Sequence, residues 1–379
     1  MKIEQRIWTK TEGWSIQNGP EIQEKVHLVI IFAATEILKE NIFWGDVKEM
    51  YPEAHLFGCS TAGEICGTNV LDNTLVATAI HFEKTEIMGA SLSLDGAAGS
   101  FDAGQKLAQS ISPDGLRHVF VLSDGLSVNG SELVKGLSSE LSCSATITGG
   151  LAGNSDRFEE TYVFWDHLPS KNTLAILGFY GNNLKIGYGS MGGWDSFGPE
   201  RIITKSKENL LYELDGQNAL DIYKKYLGEH AGGLPATGLL FPLSIRTKNG
   251  ETGIVRTILA VNEKEKSMTF AGDIPEGAYA RFMKANFERL IDGASGAAVR
   301  SREGLDGHSP DLAIFISCVG RKLVLKQRIE EEVEAARDAL GGSPILTGFY
   351  SYGEISPFTS GTPCTLHNQT MTITTFTEG

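Results

Sequence analysis

Two octapeptides far apart in the chain, GCSTAGEI (Gly58 to Ile65) and GFYSYGEI (Gly348 to Ile355), carry a glycine and, five residues later, Gly-Glu-Ile in the same register. Each follows a short apolar run, so each reads as a strand entering a glycine turn. Repeated supersecondary units constrain architecture more than any single motif, and two such turns suggest related units facing a shared site. The pattern predicts that the two turns lie side by side, with a further Gly-rich strand end, SATITGGLAGN (Ser144 to Asn154), close by. Glycine lets a backbone approach a ligand closely. The carboxylate after it can accept hydrogen bonds from an ammonium group or can cap neighbouring backbone donors.

Between the two turns, apolar strands alternate with amphipathic stretches. VHLVIIFAA (Val26 to Ala34) reads as a buried strand too short to span a bilayer, followed by a helical stretch around Thr35 to Met50. His118 to Ser123 reads as a strand ending in an Asp-Gly turn, with Asn129 or Ser131 capping the next helix. RIITKSKENLLYELDGQNALDIYKKYLG predicts a strand pair and then a helix from about Asn218 closed by Gly228. GLLFPLSI resembles a strand, AYARFMKANFERLIDGASGAAVRS a helix, DLAIFISCVG a buried strand, and RIEEEVEAARDALG an amphipathic helix ending at Gly341. The class expected is α/β, with mixed sheets flanked by helices.

A formal charge of −14 over 379 residues argues against a nucleic-acid surface or a polybasic membrane patch. MKIEQRIWTK lacks the apolar core of a signal peptide. Five dispersed cysteines with no C-x-x-C pair fit reduced thiols, and together these features point to the cytoplasm.

Several chemistries can be weighed on residues alone. Gly187, Gly189 and Gly192 match the dinucleotide fingerprint by letter, but Gly198 and Pro199 follow where a helix must begin, so that reading is rejected. Cys59 beside Ser60 is a candidate nucleophile only if a base such as His55, His81 or His367 reaches it. Glu64 and Glu354 are candidate ligand acceptors or structural caps. Tyr350 and Tyr352 offer aromatic walls with polar tips. His367 could hold a haem iron through a neutral imidazole, or serve as a hydrogen-bonded strand residue. The candidate ligand-binding set is Cys59, Ser60, Thr61, Gly63, Glu64, Gly149, Gly150, Asn154, Tyr350, Ser351, Tyr352, Gly353, Glu354 and Asn368. No metal site is expected.

LFGCSTAGEI, VLSDGLSVNGSELVKGL and ITGGLAGN, then RIITKSKENLLYELDGQNALDIYKKYLG, then AGDIPEG, FISCVGRKLVL, GFYSYGEISP and HNQTMTIT occur in an order that resembles the FIST proteins. The resemblance implies an N-terminal FIST domain over 26–219 and a C-terminal one over 220–365. It also implies a non-enzymatic sensory role: binding a small, amino-acid-like ligand and signalling to a histidine kinase, a chemotaxis-type receptor or a cyclic-dinucleotide enzyme. As no output domain is recognised in the chain, that partner is expected in trans. A subset of the family binds haem and senses nitric oxide, which would make His367 the preferred axial ligand. The third expectation is a Cys59-dependent hydrolase or transferase.

Overall fold

The computed structural model describes residues 1–141, 145–247, 253–342, 344–358 and 361–379. Its strands form three sheets of six and one of eight, and the three six-stranded sheets share one plan. At the centre of each is a parallel pair: Leu28–Ala34 with His55–Thr61, Leu116–Ser123 with Thr146–Leu151, and Leu312–Cys318 with Ile345–Ser351. Helical crossovers join each pair: Thr35–Glu40 and Trp44–Met50 in the first, Gly130–Glu140 in the second, Val319–Leu325 and Ile329–Leu340 in the third. An antiparallel strand flanks each pair on the other side, Leu75–His81, Thr173–Tyr180 or Met371–Glu378.

After its second parallel strand, each unit turns and sends a strand to a different sheet. Glu64–Cys66 pairs with Ile345–Ser351, Gly353–Pro357 with Thr146–Leu151, and Val163–Trp165 with His55–Thr61. First unit joins third, third joins second, and second joins first. The exchange closes a ring.

The continuous apolar runs follow from this closure, because both faces of each central strand are covered. Leu28, Ile30 and Phe32 share an interior cluster with Phe120, Leu122, Ile314 and Ile316 from the other two sheets. The alternate residues Val29 and Ile31 pack outward beneath the short helices, and Val121 and Phe315 pack outward in the large helix-covered cluster. Strand period 2 therefore separates one shared interior from the outer layers.

The eight-stranded sheet, built from Trp194–Lys207 through Tyr279–Ala285, is inserted after Leu184–Met191, the first strand of the third unit, and has its own core around Tyr223, Phe270 and Phe282. The position 219/220 falls at the start of helix Ala219–Leu227, capped by Asn218 and closed by Gly228. Sheets cross that position: Trp194–Lys207 pairs with Tyr279–Ala285, and Glu64–Cys66 with Ile345–Ser351.

Some local expectations change. Tyr279–Ala285 is a strand rather than the start of a helix, because Ala280 and Phe282 alternate inward between two partner strands; the helix begins at Phe287, capped by Asn286. The stretch around Thr35 to Met50 is two short helices, broken where Asn41 takes a left-handed conformation (φ 54°). In GLLFPLSI the strand starts only at Leu243, after a 3₁₀ turn over Ala236–Leu240. The rejected fingerprint at Gly187 to Gly192 lies largely in an extended strand, Leu184–Met191.

Candidate functional site

The three glycine turns meet. The amide of Ala62 donates to Tyr350 O (2.8 Å), that of Gly153 to Ser60 O (2.9 Å), and that of Tyr352 to Leu151 O (3.2 Å). Each unit thus donates to another around a closed triangle, which makes Ser60, Leu151 and Tyr350 equivalent positions. The same register aligns Gly58, Gly149 and Gly348. A Cβ there would come within 2.2 Å of Ile31 O, 1.9 Å of Val121 O and 2.0 Å of Phe315 O respectively, so only glycine fits at each.

Glu64 and Glu354 are buried clamps of one design. Thr61 Oγ1 donates to one oxygen of Glu64, and Thr74 donates to the other through its amide (3.2 Å) and hydroxyl (2.7 Å). Ser351 Oγ donates to one oxygen of Glu354 (2.8 Å), and Thr370 to the other through its amide (3.0 Å) and hydroxyl (2.9 Å). Burial pushes Glu64 up to about 7 and Glu354 up to about 8, against the pull of those donors. In the second unit the equivalent position is Ser155. There Asp124 supplies the carboxylate from the other strand, accepting the amides of Leu126 (2.9 Å) and Ser127 (2.6 Å) and the hydroxyl of Thr161 (2.7 Å).

Beneath the third turn, Glu332 accepts from Tyr350 Oη (2.8 Å), Ser317 Oγ (2.9 Å) and Arg321 (2.6 Å), with both members of the ion pair fully buried. Lys322 reaches the first turn, donating to Ala62 O (3.0 Å) and pairing with Asp72. Gly63 (φ 137°) makes room for it, since a Cβ there would lie 2.3 Å from Lys322 Nζ. Ser60 Oγ accepts the Tyr162 amide. Cys59 is fully buried, and burial together with Glu64 pushes its thiol pKa well up. Cys66 and Cys318 are also buried free thiols, while Cys143 lies outside the described residues. Among the described residues, no cluster of three or more His, Cys, Asp or Glu could hold a metal.

Of the candidate set, Tyr352 reaches a cavity wall. A cleft of about 690 Å³ runs between the ring and the inserted sheet, walled by Leu126, Phe158, Leu234, Ile258, Leu259 and Leu323, with Asp156 at its edge. It continues into a second hollow of about 310 Å³ lined by Tyr352, Leu151, Asn129, Glu208 and Asn209. Phe158 stacks on Tyr352 with centroids 4.3 Å apart, and its amide donates to Tyr352 Oη (3.2 Å). Phe158 holds a left-handed backbone (φ 55°), as does Ser155 (φ 47°). For a bulky side chain that conformation is costly and persists only where the surroundings impose it. Leu126, Phe158 and Leu259 are each about 40% exposed at the mouth.

Gly149, Gly150, Asn154, Ser351 and Gly353 lie in the strand ends and turns of the ring; Asn154 Oδ1 and both amide atoms of Asn368 are buried without a partner among the described residues. His367 does not fit an axial haem ligand in this arrangement. Its Nε2 donates to Ser356 O (2.9 Å) and the ring is 2% exposed between strands, which leaves no open face for an iron; burial lowers its pKa to about 4, so the ring stays neutral. The sequence reading missed Phe158, Leu126, Leu259 and the Arg321–Glu332 pair. Arg321 lay within a quoted motif; Leu126 and Phe158 come from loops with no periodic signal, and Leu259 sits in strand Ile258–Asn262, where nothing in the residues marks it as a cleft wall.

Residues 27–217 match the FIST N domain and residues 219–357 the FIST C domain. An uncharacterized protein of Methanocaldococcus jannaschii is 25% identical over 353 residues, covering 84% of this chain, and the chain spans 65% of that relative's length. Among solved structures, cyanuric acid hydrolase from A. caulinodans aligns with 78% of this chain and 99% of its own at 10% identity, with a TM-score of 0.19.

Proposed function

This chain belongs to the FIST family, whose domains are associated with signal transduction and small-ligand sensing, and from that premise we propose that it is a sensor whose ligand occupies the cleft beside Phe158 and Tyr352. The observation that carries this reading is the cleft itself: apolar walls from the second unit, the third unit and the inserted sheet converge on one hollow. Such concave, mostly apolar sites with a few polar groups are where small ligands bind. Asp156 and Glu208 offer carboxylates for an ammonium group, which suits an amphipathic, amino-acid-like metabolite.

Binding rather than turnover is the role proposed. The Cys59 thiol, sealed and shifted toward its neutral form, supplies no thiolate. A ligand touching three elements at once would bias how the inserted sheet sits on the ring, and a separate kinase, receptor or cyclic-dinucleotide enzyme would read that change. Among the described residues, no helix is long and apolar enough to cross a membrane.

Thermal-shift and calorimetric screening of amino acids and related amines tests the reading. Ligands should raise the melting temperature of the wild type and lose that effect in Leu259→Trp, which fills the cleft, while Cys59→Ser should bind normally. Hits that persist undiminished in Leu259→Trp would place the ligand elsewhere.

A further inference from the structure

A separate cavity of about 270 Å³ also lies between ring and inserted sheet, lined on the ring side by Ser131, Val134 and Leu366 and on the sheet side by Ile245, Ile254 and Arg256. Arg256 is 6% exposed, yet its hydrogen bonds go to two backbone carbonyls, Leu366 O (2.9 Å) and Asp273 O (3.4 Å). Among the described residues it forms no ion pair.

The nearby carboxylate of Asp273 is turned away, accepting Asn129 Nδ2 (3.0 Å) on one oxygen and pairing with Lys135 (3.2 Å) on the other. Lys135 is further paired with Glu132 (2.6 Å). Opposite Arg256, Ser131 Oγ is buried without a partner among the described residues. Buried charges and hydroxyls ordinarily find partners, so a guanidinium hydrogen-bonded only to backbone carbonyls and a hydroxyl without a hydrogen bond, both lining this cavity, call for an occupant. Burial lowers the Arg256 pKa to about 10, against the opposing field of Asp273.

We propose that this cavity is a second ligand site, taking a small monocarboxylate with a compact apolar body. The carboxylate accepts from the planar guanidinium of Arg256 and from Ser131 Oγ, and the body lies against Val134, Ile245, Ile254 and Leu366. The cavity's other cation, Lys135, is engaged by Glu132 and Asp273, which leaves one arginine fork, and a fork matches a single carboxylate better than a phosphate dianion. The volume, just below the roughly 300–1,000 Å³ of sites for drug-sized ligands, limits the body to a short branched or single-ring group. The site stands independently of the cleft beside Phe158.

Calorimetry with 3-methylbutanoate and benzoate, against their neutral amides, provides the test. The carboxylates should bind, and the amides should bind at least about tenfold more weakly, the scale of one charge-assisted hydrogen bond. Arg256→Gln should weaken carboxylate binding by a similar factor. Ser131→Leu, which plugs the wall, should abolish it, and its circular dichroism shows whether the fold is kept if Arg256→Gln fails to fold. Equal binding of acids and amides, no binding of either acid, or undiminished binding in folded Ser131→Leu would each overturn the proposal. Loss in Leu259→Trp with retention in Ser131→Leu would assign the carboxylates to the cleft instead, sinking this site while leaving the sensor reading in place.

Discussion

The first and third turns of the ring carry the same clamp, and the second does not. Glu64 and Glu354 each hold a hydroxyl on one oxygen and a threonine amide and hydroxyl on the other, in full burial. The second turn has Ser155 at that place, moves its acid to Asp124, and continues into a loop with two left-handed residues that ends at Phe158. The residues that repeat are sealed, and the copy that departs from the repeat faces the cleft. Conformity to the pattern therefore belongs to closing the ring, and departure from it to the proposed ligand site, in keeping with strain and broken local rules collecting where proteins act.

The largest effect expected is at the clamps. Glu354→Leu strands Ser351 Oγ and both Thr370 donors in the core, and should cost about 3 kcal/mol by urea unfolding. Asp124→Ala should cost a comparable amount if the second unit has relocated its clamp rather than lost it, while Ser155→Gly should change stability by less than about 0.5 kcal/mol. A cheap Asp124→Ala would break the comparison.

Next come the glycines under the turns. Gly58→Ala, Gly149→Ala and Gly348→Ala each push a methyl into a backbone carbonyl and should each cost about 2 kcal/mol or more, alike in all three units. Unequal costs would show that the units are not mechanically equivalent.

Stability should also follow pH through the clamps. Their folded pKa values, about 7 and about 8, lie above the ordinary 4.5, so the folded state keeps protons that the unfolded chain releases. That contribution is complete below 4.5 and is lost as pH rises through 7 and 8. His118 and His367, lowered by burial to about 3 and about 4 from 6.5, act in the opposite sense, losing stability as pH falls below 6.5. The wild type should therefore change little from about pH 5 to 6.5, then lose on the order of 2 kcal/mol by about pH 8.5. The double variant Glu64→Gln, Glu354→Gln should flatten the alkaline decline, and an unchanged decline would assign it to other groups.

The smallest effect on stability lies at the departing copy. Phe158→Ala removes an exposed stack on Tyr352 worth about 1 kcal/mol or less, yet should weaken ligand binding in the cleft. An opposite pattern, a large stability loss with intact binding, would make Phe158 part of the scaffold.

Much of this was legible in the residues. Continuous apolar runs marked the central strands, Asn129 and Asn218 marked helix starts, and Gly228 and Gly341 marked helix ends, because caps and patterning act over a few neighbouring residues. Shared Gly-Glu-Ile letters placed two turns together, and the hydrogen bonds of Ala62 and Tyr352 tie both into the ring. Tyr279–Ala285 misled because a strand flowing without a break into helix Phe287–Glu303 offers no punctuation until Asn286.

The sequence by itself determined the α/β elements, the paired turns and membership of the family. Only the tertiary structure decided that each turn hands its strand to another sheet, that Glu64 and Glu354 are sealed from solvent, and that Phe158, Leu259 and Leu323 share one cleft. The reason is range. Propensity and capping are settled between residues a turn apart, whereas strand exchange, desolvation and cavity shape depend on which distant segments pack together, and no local pattern encodes that choice.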